Sequence, residues 1–136
     1  RSPLVSWHDG YRDWWLSDDG VAFLKHGDRQ GLIQIQSAEP VLQIQEDPLA
    51  QVIDPQILVA AGVLAAQLPE AEVLLFDPAN GLGYEDARGW TAYFGADGDM
   101  VSKVRLYRAL VDYMQENGLT GSLISVQDPS TPYVRR

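Results

Sequence analysis

The chain has 136 residues, a hydrophobic content of 46% and a formal net charge of −9, a combination that indicates one folded domain. The acidic charge argues against nucleic acid and anionic membrane surfaces as partners, and the absence of cysteine excludes disulfides, thiolate catalysis and Cys-based metal centres. The longest apolar run, residues 57–68, is too short to cross the ~30 Å hydrocarbon core of a bilayer. Because the chain begins with Arg1 rather than Met, we interpret it as a piece of a longer protein.

The N-terminal part predicts short strands separated by turns. Asp9-Gly10 is a typical hairpin turn, and Asp18-Asp19-Gly20 predicts a second one. Pro40 suits the first position of a short edge strand. We expect these strands to form an antiparallel meander. The predicted strands cover residues 4–7, 11–16, 21–24, 32–36 and 40–44.

A first helix is predicted to begin after Asp54, with Pro55 at its first position, and to end before Pro69. Three further strands are expected after it, with Asn80-Gly81 and Ala87-Arg-Gly89 in the intervening turns. The expected buried stripe of the helix consists of Ile57, Ala61, Leu64, Ala65 and Leu68. The three strands are predicted over residues 72–77, 82–84 and 90–95.

A second, longer helix is predicted between an N-cap at Asp99 and Gly118. We expect its basic residues to lie on a solvated face, because acidic residues surround them. The apolar stripe is Met100, Val101, Val104, Tyr107, Leu110, Val111 and Met114, and the basic residues are Lys103, Arg105 and Arg108.

The chain then predicts a strand over residues 122–127, a break over residues 128–132 and an extended end over residues 133–136. A strand at the edge of a sheet leaves backbone groups available to a partner. The order of elements predicts an α+β fold in which two helices pack on one face of a curved, mostly antiparallel sheet.

No catalytic or metal-binding pattern is evident, and we expect neither a metal nor another cofactor. His8 and His26 are isolated imidazoles, and no serine lies in a Gly-x-Ser-x-Gly elbow. Asp97-Gly-Asp99 is interpreted as a turn with an N-cap rather than a calcium loop. Gly81-Leu-Gly83 lies in a predicted hairpin and opens no helix, so it is not a phosphate-binding loop. The carboxylate pairs 18–19 and 85–86 are assigned to turns.

The four tryptophans offer a different kind of site. Trp14 and Trp15 are adjacent on a predicted strand and should point to opposite faces, so we expect at least one to be exposed or at an interface. Trp7 and Trp90 are expected in the core.

Several segments, taken in order along the chain, resemble the FtsQ/DivIB family of bacterial cell-division proteins. The strand ending near a tryptophan and the Asp-x-Gly-Val-x-Phe hairpin after it are similar to the passage from that family's POTRA domain into its β domain. The segments carrying the resemblance are residues 1–7 with 15–23, Pro40-Val-Leu42, Phe94-Gly95 followed by Lys103, Ile124-Ser-Val-Gln127, and Tyr133-Val-Arg135.

The resemblance implies a non-catalytic scaffold of the division-site complex that binds FtsB and FtsL proteins. It implies a membrane-anchored protein with one transmembrane helix and a POTRA domain upstream, this β domain lying outside the membrane. Residues 1–8 would then be the last POTRA strand or the junction with it. FtsB would add a strand at the C-terminal edge, where Pro132 lacks an N–H. The matching positions are Gln127, Asp128, Ser130, Thr131, Pro132, Tyr133, Val134 and Arg135.

Two other interpretations remain open. A small ligand-binding or hydrolytic domain would use a Trp-lined cleft between the N-terminal hairpins and the first helix. A purely structural domain packed against a neighbour would expose apolar surface near Val5 and Trp7.

Overall fold

The computed structural model describes residues 3–10, 12–24, 31–42 and 50–136, and these form an α+β fold with two helices and one nine-stranded sheet. The fold class predicted from the sequence is confirmed. The strands are β1 (Val5–His8), β2 (Asp13–Leu16), β3 (Ala22–Leu24), β4 (Ile33–Ser37), β5 (Leu74–Asp77), β6 (Gly81–Glu85), β7 (Thr91–Gly95), β8 (Leu123–Ser125) and β9 (Tyr133–Arg135), and the helices are α1 (Pro55–Gln67) and α2 (Met100–Glu116).

The strands lie in the order β3-β2-β1-β4-β5-β6-β7-β8-β9. Most neighbours are antiparallel, but β4 is parallel to both β1 and β5, and β8 is parallel to β7. The predicted N-terminal meander is therefore wrong at β4: the hairpins fold away to one side of β1 and leave its other side for β4. Residues 40–42 form no strand, and the rest of the edge strand predicted there lies outside the described residues.

Glycine is required at the turn between β2 and β3. Gly20 has a φ of +80°, and a Cβ atom there would lie 2.5 Å from the carbonyl oxygen of Ile53. Only a residue without a side chain permits both this conformation and this approach. The turn therefore lies directly against the segment that enters α1.

Both helices begin at the predicted caps. The Asp54 side chain accepts a hydrogen bond from the Gln56 N–H at 2.9 Å, and Asp99 accepts one from the Ser102 N–H at 3.2 Å. These bonds satisfy backbone donors that a helix start otherwise leaves free. At the other end of α2, Gly118 has the left-handed conformation expected of a closing residue.

The buried face of α1 differs from the predicted one. Leu58 and Ala60 are buried, whereas Ile57 and Ala65 are only partly buried. The helix is apolar on nearly every side, so spacing alone does not select the face that meets the sheet.

One core joins the sheet to both helices. Trp7 of β1, Ile35 of β4 and Leu74 of β5 lie side by side in register, and all three are buried. The same cluster contains Leu64 of α1 and Tyr107 of α2, so both helices contribute to the core on this side of the sheet. Within the described ranges, neither helix has the length and apolar character that crossing a bilayer requires.

All four tryptophans are buried, so the prediction that Trp14 or Trp15 is exposed is wrong. Trp14 joins the core, while Trp15 lies on the opposite face of β2 and meets Phe23 edge-on, with ring centroids 6.1 Å apart. Near the chain start, Val5 and Trp7 are fully buried, and Leu4 is an exposed apolar residue beside them.

Candidate partner-binding edge

Strand β9 forms one edge of the sheet, and in the described structure no strand lies beyond it. Its residues are exposed, Tyr133 by 46% and Val134 by 37%. On its inner side it pairs antiparallel with β8, placing Val134 opposite Ile124. The residues that the sequence assigned to partner binding therefore end in an exposed edge strand.

The backbone bonds of β8 reveal which of its residues face β9. Toward β7, the Thr91 N–H donates to the Ser122 carbonyl at 3.1 Å and the Val126 N–H donates to the Tyr93 carbonyl at 2.9 Å. Backbone groups alternate in direction along a strand. The groups of Ile124, between Ser122 and Val126, hence also face β7.

It follows that the neighbours of Ile124 direct their backbone groups toward β9, where they pair with Tyr133 and Arg135. The Arg135 carbonyl points inward, since it accepts from the Ser122 N–H at 2.8 Å. Ser122 lies just before β8 and departs from the alternation, with its carbonyl toward β7 and its N–H toward β9. The N–H and C=O of Val134, between these two residues, consequently point to the open edge. Pro132, just before the strand, has no N–H to donate.

A compact turn positions the start of β9. The Asp128 carboxylate accepts hydrogen bonds from the Ser130 N–H at 3.0 Å, the Ser130 hydroxyl at 2.6 Å and the Thr131 hydroxyl at 3.0 Å. These hydrogen bonds lower the pKa of Asp128, and those from Ser130 have the largest effect. The polar residues of the predicted site thus hold the turn, and Gln127 lies exposed before it.

The side chains of β9 point to two faces. Val134 covers Gly121, because a Cβ atom on that glycine would lie 2.8 Å from the Val134 Cγ1 atom. Tyr133 and Arg135 alternate with Val134 and so project on the opposite face, beside Ser125 and Leu123. A partner strand would meet one aromatic and one cationic side chain on that face.

Lys103 of α2 lies beneath the loop that precedes the helix, and the prediction that it is solvated is wrong. It is 3% exposed, and its Nζ donates to the carbonyl oxygens of Phe94 at 2.8 Å and Asp97 at 2.6 Å. Burial lowers the pKa of Lys103, and the charges of Asp97 and Asp128 oppose this shift. The other two basic residues of the cluster, Arg105 and Arg108, are exposed as predicted.

Asp86 is a buried carboxylate that the sequence assigned to a turn. Its oxygens accept hydrogen bonds from the hydroxyls of Tyr84 and Tyr107, from the Arg88 N–H at 2.9 Å and from the Arg88 guanidinium at 2.8 and 3.1 Å. Trp90 in turn donates to the Tyr107 hydroxyl at 2.8 Å. This network joins the β6–β7 turn to α2.

The protonation states in this network follow from its hydrogen bonds. Burial disfavours the Asp86 carboxylate, but the bonds from Tyr107, Arg88 and Tyr84 and the Arg88 charge outweigh it, so the pKa of Asp86 is lowered. Burial raises the pKa of Tyr84 to about 12, and burial together with the Asp86 bond raises that of Tyr107. The tyrosines remain donors and Asp86 remains their acceptor at neutral pH.

The residues considered for metal or phosphate binding are the histidines and the glycine pair at positions 81 and 83. His8 lies half-exposed with its Nδ1 atom 2.6 Å from Asp13, while His26 lies outside the described residues. Gly83 belongs to strand β6 of a hairpin, as predicted, and Gly81, predicted in the preceding turn, is the first residue of that strand. In the parts of the chain that the structure describes, no group of three or more His, Asp or Glu side chains could hold a metal ion.

The grooves on the surface bear on the alternative of a Trp-lined cleft. One of about 600 Å³ lies beside the start of α1, between Val52, Pro55 and Phe76. Neither this groove nor the next, between Glu39, Asp77 and Tyr93, is lined by a tryptophan. Hydrogen bonds from the Ala79 N–H and the Asn80 side chain are the main causes that lower the pKa of Asp77. These bonds hold a turn, and a carboxyl with a lowered pKa is poorly suited to act as a general acid.

The sequence therefore predicted the candidate edge strand but missed the burial of two charged residues, Lys103 and Asp86. No model of a known protein family matches the chain, and no curated protein matches it either.

Proposed function

We propose that this chain is a non-catalytic, FtsQ/DivIB-type β domain that binds an FtsB-like protein by strand addition at β9. The observation that carries the proposal is the exposed edge strand itself, with the Val134 N–H and C=O directed outward. An extended segment pairing there would gain main-chain hydrogen bonds that water supplies in the free protein.

The chemistry of the edge supports a protein partner. Tyr133 offers a large amphipathic side chain and Arg135 a cation, and both residue types are enriched where proteins bind one another. Asp128 and its bonds to Ser130 and Thr131 hold the turn before the strand, which reduces the ordering cost of binding.

The remainder of the proposal follows from the family resemblance. The full protein would carry a transmembrane helix and a POTRA domain upstream and would be anchored in the inner or plasma membrane, with this domain outside it. FtsL-type proteins would join the same complex. The domain would act by assembly and would contribute no catalytic group.

The test measures binding of the extracytoplasmic segment of the FtsB-type protein from the same organism. A chain ending at Pro129 lacks β9 and is expected to show no measurable binding. Tyr133→Ala keeps the strand but removes its aromatic contact, and we expect an affinity loss of about tenfold, as for a central interface tyrosine. Isothermal titration calorimetry gives the affinities.

Tyr113→Ala is the matched control, because Tyr113 is an exposed tyrosine on α2 and not on the edge strand. It should bind as the unmodified chain does. Circular dichroism establishes that each variant is folded. If the Pro129 truncation and Tyr133→Ala both fold and bind with unchanged affinity, β9 is not the partner site.

A further inference from the structure

Helix α1 has an uncharged face that the described structure leaves exposed. No residue of Pro55–Gln67 is charged, and Val59 is 58% and Val63 36% exposed. The exposed positions recur at helical spacing, with Gln56 before the valines and Gln67 after them. Two valines one turn apart on an uncharged helix form an apolar stripe rather than scattered surface residues.

A groove of about 650 Å³ runs beside this stripe, between α1 and the first turn of α2. The loop of residues 96–99 forms its wall. Its apolar lining consists of Ile57, Val59, Ala60, Val63, Ala96, Met100 and Val101.

The rim of the groove is acidic. Asp54, Asp97 and Asp99 line it, and among the described residues no basic side chain does. The Asp97 side chain is 98% exposed. Lys103 lies close to the loop, but it is buried and its Nζ is directed to backbone carbonyls. The field at the groove is therefore set by carboxylates over an apolar floor.

We propose that this groove binds an amphipathic α-helix of a partner protein, with apolar residues facing Val59 and Val63 and lysine or arginine at its margins. The backbone groups of α1 are hydrogen-bonded within the helix, so its surface offers none with which a strand could pair. The bound segment must therefore form its own backbone hydrogen bonds, as a helix does. The acidic rim favours a basic partner. A second copy of this chain would bring two acidic rims together, and an anionic lipid surface would be repelled.

The probe is a displayed library of helical peptides with leucines at i, i+3, i+4 and i+7 and with lysine, glutamate or serine elsewhere. Selection of peptides that bind the domain should enrich lysine-rich sequences. For a selected peptide, Val59→Lys should lower the affinity at least about tenfold, as expected for a central apolar contact. Asp97→Asn should lower it about two- to fivefold, as for one exposed ion pair.

Val73→Lys is the matched control, since Val73 is an exposed valine outside the groove, and it should leave binding unchanged. Val63→Lys repeats the test at a second position if Val59→Lys fails to fold. The proposal is overturned if glutamate-rich or neutral peptides are selected, or if no peptide is selected. It is also overturned if neither Val59→Lys nor Val63→Lys lowers the affinity of the selected peptide. It is also overturned if sedimentation reveals a dimer that Val59→Lys dissociates, or if vesicles containing phosphatidylglycerol bind through Val59.

Discussion

Replacement of Asp86 by alanine is expected to lower the free energy of unfolding by about 3 kcal/mol, because it removes the acceptor of two buried tyrosine hydroxyls and the ion-pair partner of Arg88. The Tyr84 and Tyr107 hydroxyls both donate to this carboxylate, and the Arg88 N–H and guanidinium meet it at the turn. An alanine leaves the two buried tyrosine hydroxyls without this acceptor, whereas the Arg88 side chain, 44% exposed, can regain water.

The measurement is urea unfolding of both proteins, followed by circular dichroism. Glu85→Ala is the control: Glu85 is the exposed neighbour of Asp86, and its loss should change the free energy of unfolding by less than about 0.5 kcal/mol. If Asp86→Ala lowers the free energy of unfolding no more than Glu85→Ala does, the network contributes nothing to stability.

The same network predicts a pH dependence. Because the pKa of Asp86 is lower in the folded chain, its contribution is fully present above the unfolded-state pKa of about 3.9. The contribution is lost as the pH falls further, through the folded-state pKa. The stability difference between the unmodified chain and Asp86→Ala should therefore be constant near neutral pH and shrink below about pH 4.

Replacement of Gly83 by alanine is expected to lower the free energy of unfolding by about 2–3 kcal/mol, through overpacking. A Cβ atom at Gly83 would lie 2.2 Å from the Ala92 carbonyl oxygen and 2.7 Å from the Tyr93 ring. The nearest obstacle is backbone of the neighbouring strand β7, which moves only if the pairing of β6 and β7 is disturbed.

Gly62→Ala is the control for this substitution. Gly62 lies within α1, and in the described part of the chain a Cβ there would meet only the Ile33 Cδ1 atom, at 4.0 Å. This alanine should raise stability by about 0.5–1 kcal/mol, because glycine is a poor helix former. Thermal unfolding compares the two variants, and equal melting temperatures would contradict the close approach of β6 to β7.

The helices were predictable because their signals are local. Asp54 followed by Pro55 marks the start of α1, and Asp99 and Gly118 enclose α2. Each signal acts through backbone groups a few residues away, so neither needs knowledge of the rest of the fold. Strand positions were similarly close, because alternation and turn residues are also local.

Strand partners were less predictable. Local sequence indicates that residues 33–37 form a strand, but nothing in it states that β4 lies parallel to β1. The parallel pairing depends on where the N-terminal hairpins fold and on which edge of β1 remains free. The burial of both Trp14 and Trp15 likewise depends on the tertiary fold, because it requires both faces of β2 to be covered.

The buried charges could not be identified from residue type. Lys103 looks like a surface residue because its helix neighbours are charged, and Asp86 looks like an ordinary turn residue. Their burial depends on distant partners: the Phe94 carbonyl for Lys103 and the Tyr107 hydroxyl for Asp86. At the candidate edge the residues were predictable from local sequence, but the outward direction of Val134 became evident only from the hydrogen bonds of β8.

The central claim is that a partner strand pairs with the outward backbone groups of β9. Val134→Pro removes the outward N–H and leaves the inward bonds of Tyr133 and Arg135 in place. Val134→Ala keeps the N–H and trims only the side chain, so it controls for lost packing against Gly121.

The most direct measurement is the affinity of the FtsB-type segment for these two variants, determined by titration calorimetry once circular dichroism establishes that both are folded. We predict that Val134→Pro lowers the affinity at least about tenfold, because the partner strand loses a main-chain bond and keeps an unpaired carbonyl. Val134→Ala should bind within about threefold of the unmodified chain, since it retains that bond. Equal affinities of Val134→Pro and Val134→Ala would contradict strand addition at β9.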